Sequence, residues 1–118
     1  MRIDQEKIED VLVLRVCEKQ ITSHEAPEMK TKILGFLIGD HEKVLLDLSQ
    51  VFQMDSTGLG ALLFALRQSD QHEKDLRICG IHSKVQFLVH VAHLEDVIES
   101  YRTVDEGVRA FMDDRNES

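Results

Sequence analysis

The chain has 118 residues, the length of one domain, and folding at this size buries roughly two-thirds of the accessible surface, enough for a core without disulfides or a structural metal. With 42% apolar and 31% charged residues the composition is that of a globular protein and excludes a disordered tail. Fourteen Lys+Arg against 22 Asp+Glu leave a net charge of -8, which argues against a sequence-independent grip on nucleic acid and against attraction to anionic lipid, since both need clustered cations.

In chain order, the first ten residues carry Asp4, Glu6, Glu9 and Asp10, so they lack the basic-then-apolar pattern of a secretory signal. No window approaches the ~20 apolar residues that a bilayer span needs. The expectation is a soluble cytoplasmic protein with no membrane insertion. Alternation at Ile3, Gln5 and Lys7 predicts a first strand, and the β-branched run Val11–Val16 a more secure second one. Cys17 and Cys79, the only cysteines, fit no ligand spacing and are expected to be two buried free thiols. From Ala26, the residues Met29, Ile33, Phe36 and Leu37 return every three or four positions, as in a helix with one apolar face. Its start has two competing signals, a capping box from Thr22 to Glu25 and Pro27 in the first turn, so that boundary stays open by a turn.

Val44–Leu48 and Leu76–Ile81 are near-continuous apolar runs of the kind buried strands require. Between them Leu59, Leu62, Leu63 and Leu66 form a core-facing helical stripe that Arg67 to Gln71 bring to an end. Ser83 is a candidate cap for a third helix with Val85, Leu88, Val89 and Ala92 inward. Thr103 with Glu106 forms a second capping box before Val104, Val108 and Phe111. The residues from Asp113 read as a polar, frayed tail, giving a single domain over residues 3–112 and a tail over 113–118. Strands alternating with helices predict an α/β fold: a small mixed β-sheet of four or five strands with about four helices packed mainly on one side.

The stretch with the most chemistry is Val44 to Leu66, which reads strand, loop, helix and places Asp55-Ser56-Thr57 where the helix begins. Asp, Ser and Thr are good N-cap residues, and that structural role is the plain reading. The alternative is that Ser56 is a phosphoacceptor, since a phosphate there would meet the free N–H groups and the positive end of the helix dipole. Gly58 and Gly60 follow in the first turns, where each costs helix stability of up to about 1 kcal/mol relative to Ala, so something local requires or offsets them. Absent side chains there would let another backbone come close to Ser56. Phe52 and Met54 before Asp55 are expected to split, one inward and one exposed. His90 and His93, at i, i+3, could share a metal, but the sequence places no third ligand, and the expectation is no metal and no cofactor. No phosphate-binding glycine loop and no base beside Ser56 are evident, so the chain reads as a substrate and not as an enzyme.

These residues carry a resemblance. The strand VLLDLS (Val44–Ser49), the segment FQMDSTGLGALL (Phe52–Leu63), the strand LRICGI (Leu76–Ile81) and the helix through Val85–Leu94 resemble the STAS domain, in particular the anti-sigma factor antagonists, over about Ile3 to Phe111. The resemblance implies a mixed sheet with helices on one side and a regulatory serine at Ser56. It implies a protein that binds an anti-sigma factor when unphosphorylated and is released when that partner, commonly a GHKL-type serine kinase, phosphorylates Ser56; a PP2C-type phosphatase reverses the step. On this basis Met54, Asp55, Ser56, Thr57 and Gly58 are the expected partner-binding residues. Asp55 shapes the loop, Thr57 is a lesser acceptor, and Gly58 permits close approach. The family's glycine turn after the second strand is replaced by Cys17-Glu18-Lys19-Gln20, which puts contacts made through it in doubt. An acidic chain of this kind implies a partner with a basic or polar cleft, and 118 residues is just enough for the STAS unit alone. A competing reading is a non-phosphorylated STAS scaffold in a membrane transport or signalling complex, with Ser56 as N-cap and contact surface.

Overall fold

The computed structural model describes residues 1–117. Five strands form the main sheet: β1 (Ile3–Ile8), β2 (Val11–Val16), β4 (Lys43–Asp47), β6 (Asp75–Cys79) and β7 (Ser100–Tyr101), side by side in the order β1-β2-β4-β6-β7. Two further short strands, β3 (Gln20–Ile21) and β5 (Gln53–Met54), pair with each other in parallel, apart from the main sheet. The helices are α1 (Ala26–Leu37), α2 (Ser56–Gln71), α3 (Ser83–Val91) and α4 (Val104–Glu117). Only β1 and β2 run antiparallel, joined by a tight turn in which Glu9 adopts φ 55°. The remaining neighbours in the main sheet are parallel.

The continuous apolar strands have a simple cause: both faces of the sheet are covered. Leu12, Leu14, Val16, Val44, Leu46, Leu48, Leu76 and Ile78 point into one core with Met29, Ile33 and Leu37 of α1, Leu59, Ala61, Leu62 and Ala65 of α2, and Val89 of α3. Val11, Val13, Leu45 and Cys79 point the other way, onto Val108 and Phe111 of α4. Three helices therefore lie on one face and α4 alone on the other, as the predicted architecture had it. A Cβ at Gly107 would lie 2.7 Å from Leu45 Cδ2, so glycine lets α4 settle close on the central strand.

Several local expectations are corrected. At the start of α1 both signals are used in tandem: the Glu25 carboxylate accepts from the Thr22 N–H (2.9 Å) and hydroxyl (2.8 Å), closing a turn ahead of the helix, and Pro27 falls in the first helical turn. Ser83 does not cap α3. His82 does, its Nδ1 accepting from the Lys84 N–H at 3.4 Å, and Ala92 lies beyond the helix end and is exposed. The residues from Asp113 are no separate tail, because α4 continues to Glu117 and leaves only Ser118 outside the described residues. Asp114 is held there by Arg77, whose guanidinium also stacks 4.2 Å over the Phe111 ring. Of the two thiols, Cys79 is buried, and burial pushes its pKa up to about 12, with the Asp47 carboxylate adding to the rise. Cys17 is only half-buried and donates to Asp4. Thr103 and Glu106 do form their capping contacts: the Glu106 N–H donates to Thr103 Oγ1 at 3.1 Å, and the Glu106 carboxylate accepts from the Arg102 N–H.

Candidate functional site

The loop between β4 and α2 is fixed at both ends. Asp47, buried at the end of β4, accepts from Arg15 Nε and from the Ser49 N–H, both at 3.0 Å. Gly80, at φ 74°, allows the neighbouring turn to crowd this carboxylate, since a Cβ there would stand 2.9 Å from Asp47 Oδ1. Val51 is buried, and the N–H groups of Phe52 and Gln53 both donate to the Lys19 carbonyl, at 2.8 and 3.2 Å. The segment Cys17-Glu18-Lys19-Gln20, which replaces the expected glycine turn, therefore serves as the backrest of this loop, and β3 pairs with β5 immediately before Asp55.

Asp55 then ends the loop in an extended conformation and caps α2. Its Oδ1 accepts from the Thr57 hydroxyl (2.5 Å) and the Gly58 N–H (3.0 Å), and its Oδ2 from the Ser23 N–H (3.3 Å). The bond from the Thr57 hydroxyl, followed by that from the Gly58 N–H, holds the Asp55 carboxyl below the ordinary aspartate value of 3.8. A carboxyl depressed by folding stabilises the protein above its unfolded pKa and loses that contribution as pH falls through the folded one. The gap in thermal midpoint between wild type and Asp55→Ala is therefore expected to be full from about pH 5 upward and to close below about pH 4. A gap equal at pH 7 and pH 2.5 contradicts this assignment.

Because Asp55 supplies the cap, the Ser56 hydroxyl is not needed for it. Ser56 is the first residue of α2 and is exposed. Thr57 is exposed as well, but its hydroxyl already donates to Asp55. Phe52 is 48% exposed and stands edge-on to the His82 ring, with centroids 5.1 Å apart, whereas Met54 is half-buried against the core; the pair splits as its sequence suggests. Gly58 is a correction. It is buried, and a Cβ there would lie 2.1 Å from the Ile21 carbonyl oxygen and 2.6 Å from Met54 Cγ. The space that its missing side chain leaves is filled by β3 of the same chain, so no partner enters it. Gly60, one turn on from Ser56, has nothing within 4 Å of its Cβ position.

The sequence therefore brings Met54, Asp55, Ser56, Thr57 and Gly58 into one short unit, with distinct tasks: packing, capping, an exposed hydroxyl, an engaged hydroxyl and an internal close contact. Sequence reading marked Lys19 only as part of a replaced turn and missed Ile21 and Ser23; all three act through backbone groups that carry no side-chain signature. Elsewhere, His90 pairs with Glu95 at 2.9 Å and His93 turns the chain at φ 59° after α3. Among the described residues no group of three His, Cys, Asp or Glu is placed to hold a metal, and no helix is long and apolar enough to cross a membrane. A depression of about 400 Å³ beside β6 and β7, lined by Arg77, Asp96, Glu99, Tyr101 and Asp114 among others, shares no lining residue with the Ser56 loop.

Comparison with known proteins agrees with this architecture. The anti-sigma-B factor antagonist of Listeria monocytogenes is 29% identical over 80 residues, covering 68% of this chain and 70% of that protein. The crystal structure of an anti-sigma factor antagonist from Mycobacterium paratuberculosis superposes with a TM-score of 0.80 at 21% identity, over 92% of each chain. The anti-sigma factor antagonist SpoIIAA in its unphosphorylated form superposes with a TM-score of 0.74 at 16% identity, over 94% of this chain and 96% of that one. The family model of the STAS domain matches residues 2–107, and with its sheet order, helix placement and Asp55-Ser56 turn the chain belongs to the STAS domain family.

Proposed function

We propose that this protein is an anti-sigma factor antagonist of the partner-switching type, with Ser56 as its phosphoacceptor. The observation that carries the reading is the division of labour at the start of α2: Asp55 caps the helix, Thr57 serves Asp55, and the Ser56 hydroxyl stands exposed beside them. The relatives named anti-sigma-B factor antagonist support the general role. Unphosphorylated, the protein binds an anti-sigma factor in the cytoplasm and so frees a sigma factor. The anti-sigma factor is a GHKL-type serine kinase: it transfers the γ-phosphoryl of ATP to Ser56 Oγ, ADP departs and the hydroxyl proton goes to the kinase's base. A PP2C-type phosphatase later hydrolyses the ester to serine and inorganic phosphate. In all of this the chain is substrate, and the partner brings nucleotide, metal and base.

Electrostatics favours a switch of binding over a switch of folding. The phosphate adds about −1.5 to −2 charges, and at the first residue of a helix the open N–H groups of the first turn and the helix dipole accommodate it. A partner that closes over Ser56 instead meets that charge beside Asp55, on a chain already at −8. The test is incubation with the cognate kinase and ATP, then phosphosite mapping by mass spectrometry. Label is expected on Ser56 and absent from Ser56→Ala, which should stay within about 0.5 kcal/mol of wild-type stability because Asp55 is the cap. Equal labelling of Ser56→Ala, or an unmodified Ser56, overturns the proposal. A non-phosphorylated scaffold, the competing reading, would instead leave partner binding indifferent to kinase and ATP.

A further inference from the structure

The main sheet ends differently at its two edges. β1 pairs with β2 along all six of its residues, and it carries the charged Asp4, Glu6 and Lys7, which discourage a further strand there. At the other edge β7 is two residues long and covers only Ile78 and Cys79 of the five-residue β6. Backbone groups along a strand alternate in direction. The Asp75 N–H donates to the Glu42 carbonyl on the β4 side at 2.8 Å, and the Gly80 N–H to the Tyr101 carbonyl on the β7 side at 2.9 Å. The even-numbered residues therefore turn outward, and the N–H and C=O of Leu76 face no strand.

What they face is the depression of about 400 Å³, which lies across the sheet edge. It reaches both faces of the sheet, since Leu66 of α2 lines it on one side and Asp114 of α4 on the other. Its charge is unbalanced. Asp96, Glu99 and Asp114 line it with a single cation, Arg77, whose guanidinium is already taken up by Asp75, Asp114 and the Tyr101 hydroxyl. Asp96 and Glu99 are exposed and form no ion pair among the described residues. The Tyr101 hydroxyl accepts from Arg77 Nη1 at 3.2 Å and keeps its own proton for another acceptor.

We propose that this edge is a docking slot for an extended, basic peptide segment of a partner protein, which adds as a short strand beside the first half of β6. The uncovered stretch, residues 75–77, is about 10 Å long at strand spacing. An outward N–H and C=O on Leu76 call for the complementary pair of another backbone, which selects a polypeptide over a small molecule. Alternation then sets the side chains of the segment. Those turned toward α2 meet Leu66 and are apolar, and those turned toward α4 meet Asp114 and are Lys or Arg. Asp96 and Glu99, at the mouth, draw the basic segment in. The slot shares no lining residue with the Ser56 loop, so this docking is a second function that stands apart from the phosphoacceptor reading.

The probe is a synthetic peptide, Lys-Val-Lys-Val-Lys, acetylated and amidated at its ends and titrated into the whole chain by calorimetry while backbone amides are followed by NMR. Binding is expected, together with protection of the Leu76 N–H from hydrogen exchange. The double variant Asp96→Lys, Glu99→Lys, altered only at exposed positions, should bind at least tenfold more weakly. Of two forms of the peptide N-methylated at alternate residues, one should lose affinity at least tenfold and the other bind like the parent, because only one set of N–H groups faces β6. Spermidine, a cation with no backbone to pair, should leave Leu76 exchange unchanged. Absence of peptide binding overturns the proposal, and so does equal affinity of the two N-methylated forms. Wild-type affinity in the double variant overturns it as well. Spermidine that displaces the peptide and protects Leu76 would make this a site for small polyamines and overturn it too.

Discussion

Replacing Gly58 with alanine should destabilise the protein by about 3 kcal/mol, a large part of the 5–15 kcal/mol that holds a domain of this kind together. The new methyl carbon would be built 2.1 Å from the Ile21 carbonyl oxygen, and its neighbour is backbone tied into β3, not the end of a flexible side chain. Relief requires α2 to move away from β3, which strains the Asp55 cap and uncovers Met54. Urea denaturation of Gly58→Ala against wild type reads this directly. An unchanged midpoint would mean that the close contact between α2 and β3 does not exist in solution. The contrast with Gly60 matters for the site: two glycines two residues apart are expected to respond to the same substitution with opposite signs of stability change.

The second large effect concerns binding. A carboxylate at position 56 places a fixed negative charge on the exposed face of α2, next to Asp55, without disturbing the cap. Ser56→Asp is expected to fold as wild type and to bind the anti-sigma kinase at least tenfold more weakly, which corresponds to about 1.4 kcal/mol of like-charge and desolvation penalty. Calorimetric titration of the two proteins under one salt condition decides it, because screening by salt would otherwise hide part of the difference. Wild-type affinity in Ser56→Asp would mean that charge at this position is not what the partner reads.

Much of the architecture was legible because the sheet is buried on both faces. Val11–Val16 and Val44–Leu48 had to be apolar at nearly every position, and a run of that kind signals a central strand without any partner in view. The helices declared themselves by period, and Thr103 with Glu106 formed the contacts their spacing suggests. What remained illegible is short or carried by backbone. The two-residue strands β3, β5 and β7 are too brief for any alternation to register. The first two nevertheless hold the segment that leads into α2, where the Phe52 and Gln53 N–H groups donate to the Lys19 carbonyl just ahead of β3 and the Ile21 backbone packs against Gly58. His82 took the cap expected of Ser83 because a histidine with a free ring nitrogen can accept the same N–H one position earlier. The residues after Asp113 look like a tail in isolation, yet Arg77 on β6, 37 residues from Asp114 in sequence but adjacent in space, gives Asp114 a partner and Phe111 a cation to pack against.

At the site itself the residue types pointed to the right segment, and the structure redistributed the roles within it. Asp, Ser and Thr in sequence could each have served as the N-cap. Only the extended backbone at Asp55, which brings its carboxylate onto the Gly58 N–H, decides that the aspartate caps and leaves the serine outward. Likewise a pair of glycines after the serine suggested room for a partner, but that room is external at Gly60 alone.

In the proposed switch, one phosphate on Ser56 governs partner binding while the fold stays as it is. The most direct measurement is the affinity of the protein for its cognate anti-sigma factor before phosphorylation, after stoichiometric phosphorylation of Ser56, and again after phosphatase treatment, with the thermal midpoint followed alongside. Tight binding, a loss of at least tenfold and full recovery are expected, with the midpoint nearly constant throughout. Equal affinity of the phosphorylated and unphosphorylated forms would contradict it.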